Sequence, residues 1–136
     1  MIFYLNESKN SKETWNAIPL KKVGKIKFGM SRDEVRNLLG EYKEFKKNKF
    51  SKSKTDNFGV CHIFYDSNGK CEAIEIFNDI NVSINGKKVF PNNISALSSI
   101  ASDFNGKISK EKSIGVEVDD NGNGKSITFG VAGYFD

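Results

Sequence analysis

Two turn sequences, Asp66-Ser67-Asn68-Gly69 and Asn85-Gly86, lie between β-rich runs and constrain this chain more than any other feature. Asn and Gly tolerate the positive φ of a tight turn, so each turn folds its flanks into antiparallel strands. Phe58 to Tyr65 and Lys70 to Phe77 are the arms of the first hairpin, Ile80 to Ile84 and Lys87 to Phe90 those of the second. On the first arm Val60, His62 and Phe64 share one face, and Cys61, Ile63 and Tyr65 the other. Apolar groups on both faces predict a central strand. A last pair, Gly115 to Asp119 and Ser126 to Val131, is joined by Asp120 to Lys125 and closes the domain.

Gly29 to Gly40 starts and stops a helix within itself. Ser31 is placed to cap it, and Glu34, three residues on, can reach back to Ser31's N–H as a capping box. Val35, Leu38 and Leu39 form one apolar stripe, and Gly40 supplies the left-handed end. About two turns of helix are marginal alone, so this one must dock on the sheet. A second helix is expected over Asn93 to Phe104, with Ile94, Leu97, Ile100 and Ala101 on its stripe. The remaining segments read as a short strand at Ile2 to Leu5, a helical turn over Ser11 to Ile18 before Pro19, and a strand over Val23 to Phe28. Glu41 to Phe45 reads as an edge strand and Lys46 to Lys54 as a solvated loop. The expected fold is α+β: one domain spanning residues 1–136, an antiparallel meander of about five or six strands with two or three short helices packed on one face.

A chain of 136 residues can bury a core without disulfide or metal support. At 38% apolar and 28% charged residues it has the composition of a globular protein. The apolar Met1 to Leu5 is followed at once by Asn6-Glu7-Ser8-Lys9, too short for a signal peptide's apolar region, and the cytoplasm is the expected location. In the hairpin register Cys61 falls opposite residues 74 to 76, which puts Cys71 on the order of 10 Å away, beyond disulfide reach. Two free thiols are expected, as suits a reducing compartment. Charge is divided: residues 1–56 hold 14 Lys+Arg against 7 Asp+Glu, a net +7, and residues 57–136 hold 7 Lys against 10 Asp+Glu, a net −3. Such a division bears on partners and association rate.

Asp119-Asp120-Asn121-Gly122-Asn123-Gly124 matches the first half of a calcium loop, but the twelfth position, where a bidentate carboxylate belongs, is Gly130. A glycine-rich turn is the expectation, and no metal or other cofactor is expected. His62 is the sole histidine and faces away from Cys61, so the two form no local dyad. No P-loop, dinucleotide fingerprint or Gly-x-Ser-x-Gly elbow occurs, which argues against an enzyme. Two surfaces remain. Glu72, Glu75, Asp79, Glu117, Asp119 and Asp120 lie on strands or turns of the expected sheet and suit a basic protein partner. Lys46, Lys47, Lys49, Lys52 and Lys54, with Phe45 and Phe50 offering rings, make up the alternative, a nucleic-acid contact.

The segment Ile26 to Gly40, with Gly29-Met30-Ser31, Asp33-Glu34-Val35 and Leu38-Leu39-Gly40, resembles the helix of small outer-membrane assembly lipoproteins of the BamE/SmpA type. The same helix-then-meander plan occurs in β-lactamase inhibitor proteins. This chain departs from the lipoproteins in having no signal peptide or acylated cysteine in its expected reading. From Val23 to about Phe90 the layout is similar to that of bacterial immunity proteins paired with polymorphic or contact-dependent inhibition toxins. That resemblance implies a cytoplasmic, non-catalytic protein that occludes a cognate toxin domain, in many systems a nuclease.

Overall fold

The computed structural model describes residues 13–46, 48–50 and 53–136. The expected strand at Ile2 to Leu5, and Lys47 and Lys52, lie outside the described residues. The chain runs β1 (Glu13–Ile18), β2 (Lys22–Val23), β3 (Ile26–Lys27), α1 (Arg32–Leu39), β4 (Lys43–Lys46), β5 (Lys54–Asn57), β6 (Cys61–Tyr65) and β7 (Cys71–Phe77). It continues through β8 (Ile80–Ile84), β9 (Lys87–Phe90), a 3-10 turn (Ile94–Ala96), α2 (Leu97–Ile100), β10 (Ile108–Ser109), β11 (Ile114–Val118) and β12 (Gly124–Gly130).

The α+β class holds, but the sheet is not one meander. The strands form a five-stranded sheet ordered β3-β2-β1-β8-β9 and a seven-stranded sheet ordered β10-β11-β12-β7-β6-β5-β4. Where sequence suggested a helical turn, Glu13–Ile18 is a strand pairing parallel with β8, from Glu13 opposite Ile80 to Ala17 opposite Ile84. Thr14, Trp15 and Ile18 suit a strand better than a helix, and a parallel neighbour supplies the ladder that no local turn announced. The expected strand over Val23 to Phe28 is a tight hairpin instead, with Val23 opposite Ile26. One apolar cluster takes Val82, Ile84 and Phe90 from the smaller sheet, Ile63, Ile74, Ile127 and Phe129 from the larger, and Val35 from α1.

The hairpins follow the turn chemistry. Cys61 pairs with Ile76, as the expected register requires, and both cysteines are free and buried. Asn85 and Gly86 have φ values of 53° and 79°, as a type I′ turn needs. α2 is only one turn long, although Ile94, Leu97 and Ala101 are buried as the stripe predicted. The chain leaves the helix at Ala101, which is extended. Just beyond, Asp103 holds the following loop by accepting from the Ser109 hydroxyl at 2.6 Å and the Glu111 N–H at 3.0 Å.

The capping box of α1 is complete: Glu34 N–H donates to Ser31 Oγ at 3.2 Å, and Ser31 N–H donates to Glu34 Oε1 at 3.0 Å. Its docking stripe is narrower than expected. Val35 is fully buried and Leu39 packs on the core, whereas Leu38 is 42% exposed. Val35 and Leu39 are four residues apart and so lie nearly in line along the helix, and that line faces the core. Leu38 sits to one side of it, over a cleft. Leu38→Ala is therefore expected to shift stability by less than about 0.5 kcal/mol. Val35→Ala is expected to cost about 2 kcal/mol, from two buried carbons at ~0.8 kcal/mol each and the void they leave. Urea denaturation of the two variants separates these outcomes.

Candidate functional site

The most tightly organised polar cluster joins α1 to β5 and β6. Asp56 in β5 is completely buried and points to the core side, opposite Ile63. Arg36 grips it in a fork, with Nε donating to Oδ2 at 2.9 Å and Nη2 to Oδ1 at 2.8 Å. The Tyr65 hydroxyl donates to Oδ2 at 2.8 Å. Arg32, one turn before Arg36, lies over the Tyr65 ring at 4.2 Å and donates to the Lys54 carbonyl and the Ser53 hydroxyl, each at 3.0 Å. Arg36 also stacks on Tyr42 at 3.8 Å and reaches Glu44 at 3.3 Å. The bonds to Asp56 hold the Arg36 guanidinium protonated more firmly than usual, and burial followed by the bond to Asp56 raises the Tyr65 phenol. Arg32, Arg36 and Tyr65 all spend donors on partners within the chain, so the cluster fixes α1 on the sheet. The i,i+4 spacing of Arg32 and Arg36 is the one sequence signal that could have found it, and Asp56 gave none.

The opposite face of the seven-stranded sheet carries His62. Its ring stands edge-on to Phe45 at 4.9 Å and to Phe77 at 4.8 Å, and Nδ1 lies 3.4 Å from Glu75 Oε1. His62 is thus a partnered sheet histidine. Cross-strand register carries this face outward, because Glu75 lies opposite Thr128, Phe77 opposite Ser126, and Ser126 opposite Glu117. The C-terminal residues fold over part of it: a Cβ on Gly115 would fall 2.8 Å from the Phe135 ring, and one on Gly130 2.6 Å from Tyr134.

Five of the six acidic residues named from sequence gather at one end of this sheet. Glu75 and Glu117 are on its strands, Asp79 is in the β7–β8 turn beyond Phe77, and Asp119 and Asp120 are in the β11–β12 turn beyond Glu117. Glu72 does not join them. It sits at the start of β7, where its carbonyl accepts from Val131 N–H at 3.0 Å. Asp119 is spent on its own turn, Oδ1 accepting from Asn121 N–H at 2.8 Å and Asn123 N–H at 3.0 Å, so the half calcium loop is a turn. Among the described residues no group of three or more His, Cys, Asp or Glu is arranged to hold a metal ion.

The lysines occupy the far edge. Lys46 and Lys54 are not in a loop but opposite each other in the β4–β5 hairpin, with Lys49 and the 81% exposed Phe50 at its tip. A separate cleft of about 440 Å³ lies beside α1, between Trp15, Gly24 and Lys25 on one side and Leu38, Leu39 and Phe58 on the other. Sequence reasoning missed it, because β1 was not recognised as a strand.

Burial pushes both thiols up to about 12 from an ordinary value of 9.0. A thiol held protonated when folded binds its proton more tightly than the unfolded chain does. Its stabilising contribution is complete below about pH 9 and is lost as pH climbs towards 12. Tyr65 acts in the same direction. Unfolding midpoints are expected to fall progressively above pH 9, and less steeply in the Cys61→Ala, Cys71→Ala double variant. A flat profile to pH 11 would contradict this burial.

Comparison with models of known families, with curated proteins and with solved structures finds no match to this chain. No helix among the described residues is long and apolar enough to cross a membrane.

Proposed function

We propose that this chain is an immunity protein that binds a cognate toxin domain and blocks it by occlusion, without catalysis. The observation that carries this reading is the acidic end of the larger sheet, where Glu75, Asp79, Glu117 and Asp120 border a row of half-buried rings, Phe45, His62 and Phe77. Aromatic residues supply the desolvated centre of a protein interface, and carboxylates at its rim steer and select a basic partner. The separation from the lysine edge makes the molecule electrically two-sided, which orients that encounter. A reducing, cytoplasmic setting agrees with two buried free thiols.

The test is association of the full chain with the toxin domain encoded beside it, followed at two salt concentrations. Asp79→Lys, Glu117→Lys and Asp120→Lys together are expected to slow association by about tenfold or more at low salt, with the difference shrinking as salt rises. Co-expression should also protect cells from that toxin. Failure to form a complex, or an unchanged association rate in the triple variant, would reject this reading.

A further inference from the structure

We infer that a cleft beside the acidic end, walled by the C-terminal segment, is a pocket for one arginine side chain of a partner protein. The cleft measures about 300 Å³, at the lower end for a ligand site and ample for one side chain. Strand register in the larger sheet sets its floor: Thr128 lies between Glu75 and Gly115, and Ser126 between Phe77 and Glu117. Glu75, Glu117, Ser126, Thr128 and Gly115 all line it. Because β12 separates β7 from β11, the two glutamates stand two strands and two residues apart. At ~4.8 Å per strand and ~3.4 Å per residue their Cα atoms are about 12 Å from each other, and the strand between them carries both hydroxyls.

These polar groups are left open. Ser126 is only 5% exposed, yet its hydroxyl has no hydrogen-bond partner among the described residues and borders the cleft. A buried hydroxyl without a partner is costly, so a ligand that satisfies it gains by binding. Glu117 forms no ion pair among the described residues, and Glu75 has only His62 Nδ1, at 3.4 Å. Lys107 is the one cation in the lining and pairs with neither carboxylate, so two carboxylates against one ammonium leave the cleft a single negative charge. Among the described residues no acidic group is arranged to hold a metal ion. A guanidinium fits instead, since its five N–H groups lie in one plane and serve carboxylate and hydroxyl acceptors together.

Phe135 supplies the wall. Gly115 lies within β11 at no left-handed φ, and its bare backbone is what lets the Phe135 ring come down on the sheet. The segment carrying the ring is tied back, with Val131 N–H donating to the Glu72 carbonyl at 3.0 Å and the Ser113 hydroxyl to the Val131 carbonyl at 2.8 Å. A guanidinium stacks on an aromatic face, and an ammonium gains less there. The floor of the cleft also runs into the row of rings, because Glu75 lies opposite His62 and Ser126 opposite Phe77. An arginine seated here holds the rest of its protein over those rings. In naming the partner's anchor the inference rests on the toxin reading, but the chemistry of the cleft is tested without any toxin.

The full chain is titrated with N-acetyl-arginine amide, whose guanidinium is its only charge, and followed by amide NMR spectra. Saturable shifts at Gly115, Glu117, Ser126 and Thr128 are expected, with a dissociation constant on the order of 1 mM. N-acetyl-citrulline amide, an uncharged isostere, should bind about tenfold more weakly or worse, and N-acetyl-lysine amide about 2- to 5-fold more weakly. Glu117→Gln is expected to weaken the arginine compound about tenfold, and Ser126→Ala about 2- to 10-fold. Phe135→Leu should cost about 2- to 5-fold and abolish the preference for arginine over lysine. Asp33→Asn, which removes an exposed carboxylate on α1, should change nothing. The same spectra check that each variant is folded. No saturation by about 20 mM, equal binding of the citrulline compound, or binding unaltered in both Glu117→Gln and Ser126→Ala would overturn the inference. Agmatine binding more than about 100-fold tighter would assign the cleft to a small free guanidine and overturn the protein-borne arginine. Failure here leaves the toxin reading standing on its rim charges, and failure of the toxin complex leaves the arginine result standing.

Discussion

Asp56→Ala is expected to destabilise the protein by about 3–5 kcal/mol, the range found when one partner of a buried ion pair is removed. The substitution strips Arg36 of both strong bonds and leaves the Tyr65 hydroxyl without its acceptor in a buried setting. Arg36 can still turn to Glu44, which lies partly in solvent, so its charge is not wholly stranded. Pairing Asp56→Ala with Arg36→Leu should therefore cost clearly less than the two single losses added together. Equilibrium denaturation of the three variants gives the coupling directly. A single-variant loss under about 1 kcal/mol, or strict additivity, would show that α1 is held by its apolar residues alone.

Phe129→Ala is expected to cost a similar amount, about 3–5 kcal/mol. Phe129 is fully buried on β12, opposite Ile74 on one side and Ile114 on the other, so its ring ties three strands of the larger sheet into the common core. Phe129→Leu keeps most of the volume and should lose less than about 1.5 kcal/mol. The contrast between the two, read from denaturation midpoints at constant slope, distinguishes a lost contact from a general weakness of the strand. Equal losses in both variants would mean that the site tolerates no change of shape, and little loss in either that it is not packed.

Features decided within a few residues were legible in the sequence. The Asn85-Gly86 turn, the Cys61 to Ile76 register and the Ser31 capping box each rest on chemistry between near neighbours, and each is found as expected. Features decided by distant partners were not. The strand nature of Glu13–Ile18 depends on β8, some 67 positions further on, so the charged and polar start of the segment outweighed Trp15 and Ile18 in a local reading. The choice between Leu38 and Leu39 for the core depended on where the sheet approached α1, and a stripe of three residues does not resolve that angle. The candidate surfaces were half legible: carboxylates could be named as a group, but strand register alone separates Glu72 from the rest. The hairpin at residues 22–27 went unnoticed because two-residue strands carry no periodicity.

The parallel pairing of β1 with β8 also sets a schedule for synthesis. Glu13 meets Ile80, so 67 residues must be added after β1 emerges before its partner exists. At roughly 5–20 residues per second that is a wait of about 3–13 s. Through that interval the hairpins β4–β5 and β6–β7 can form as they are made, while Trp15 and Ala17 remain uncovered on a strand with no neighbour to its later side. Final closure of the smaller sheet is thus a late event in the life of the nascent chain.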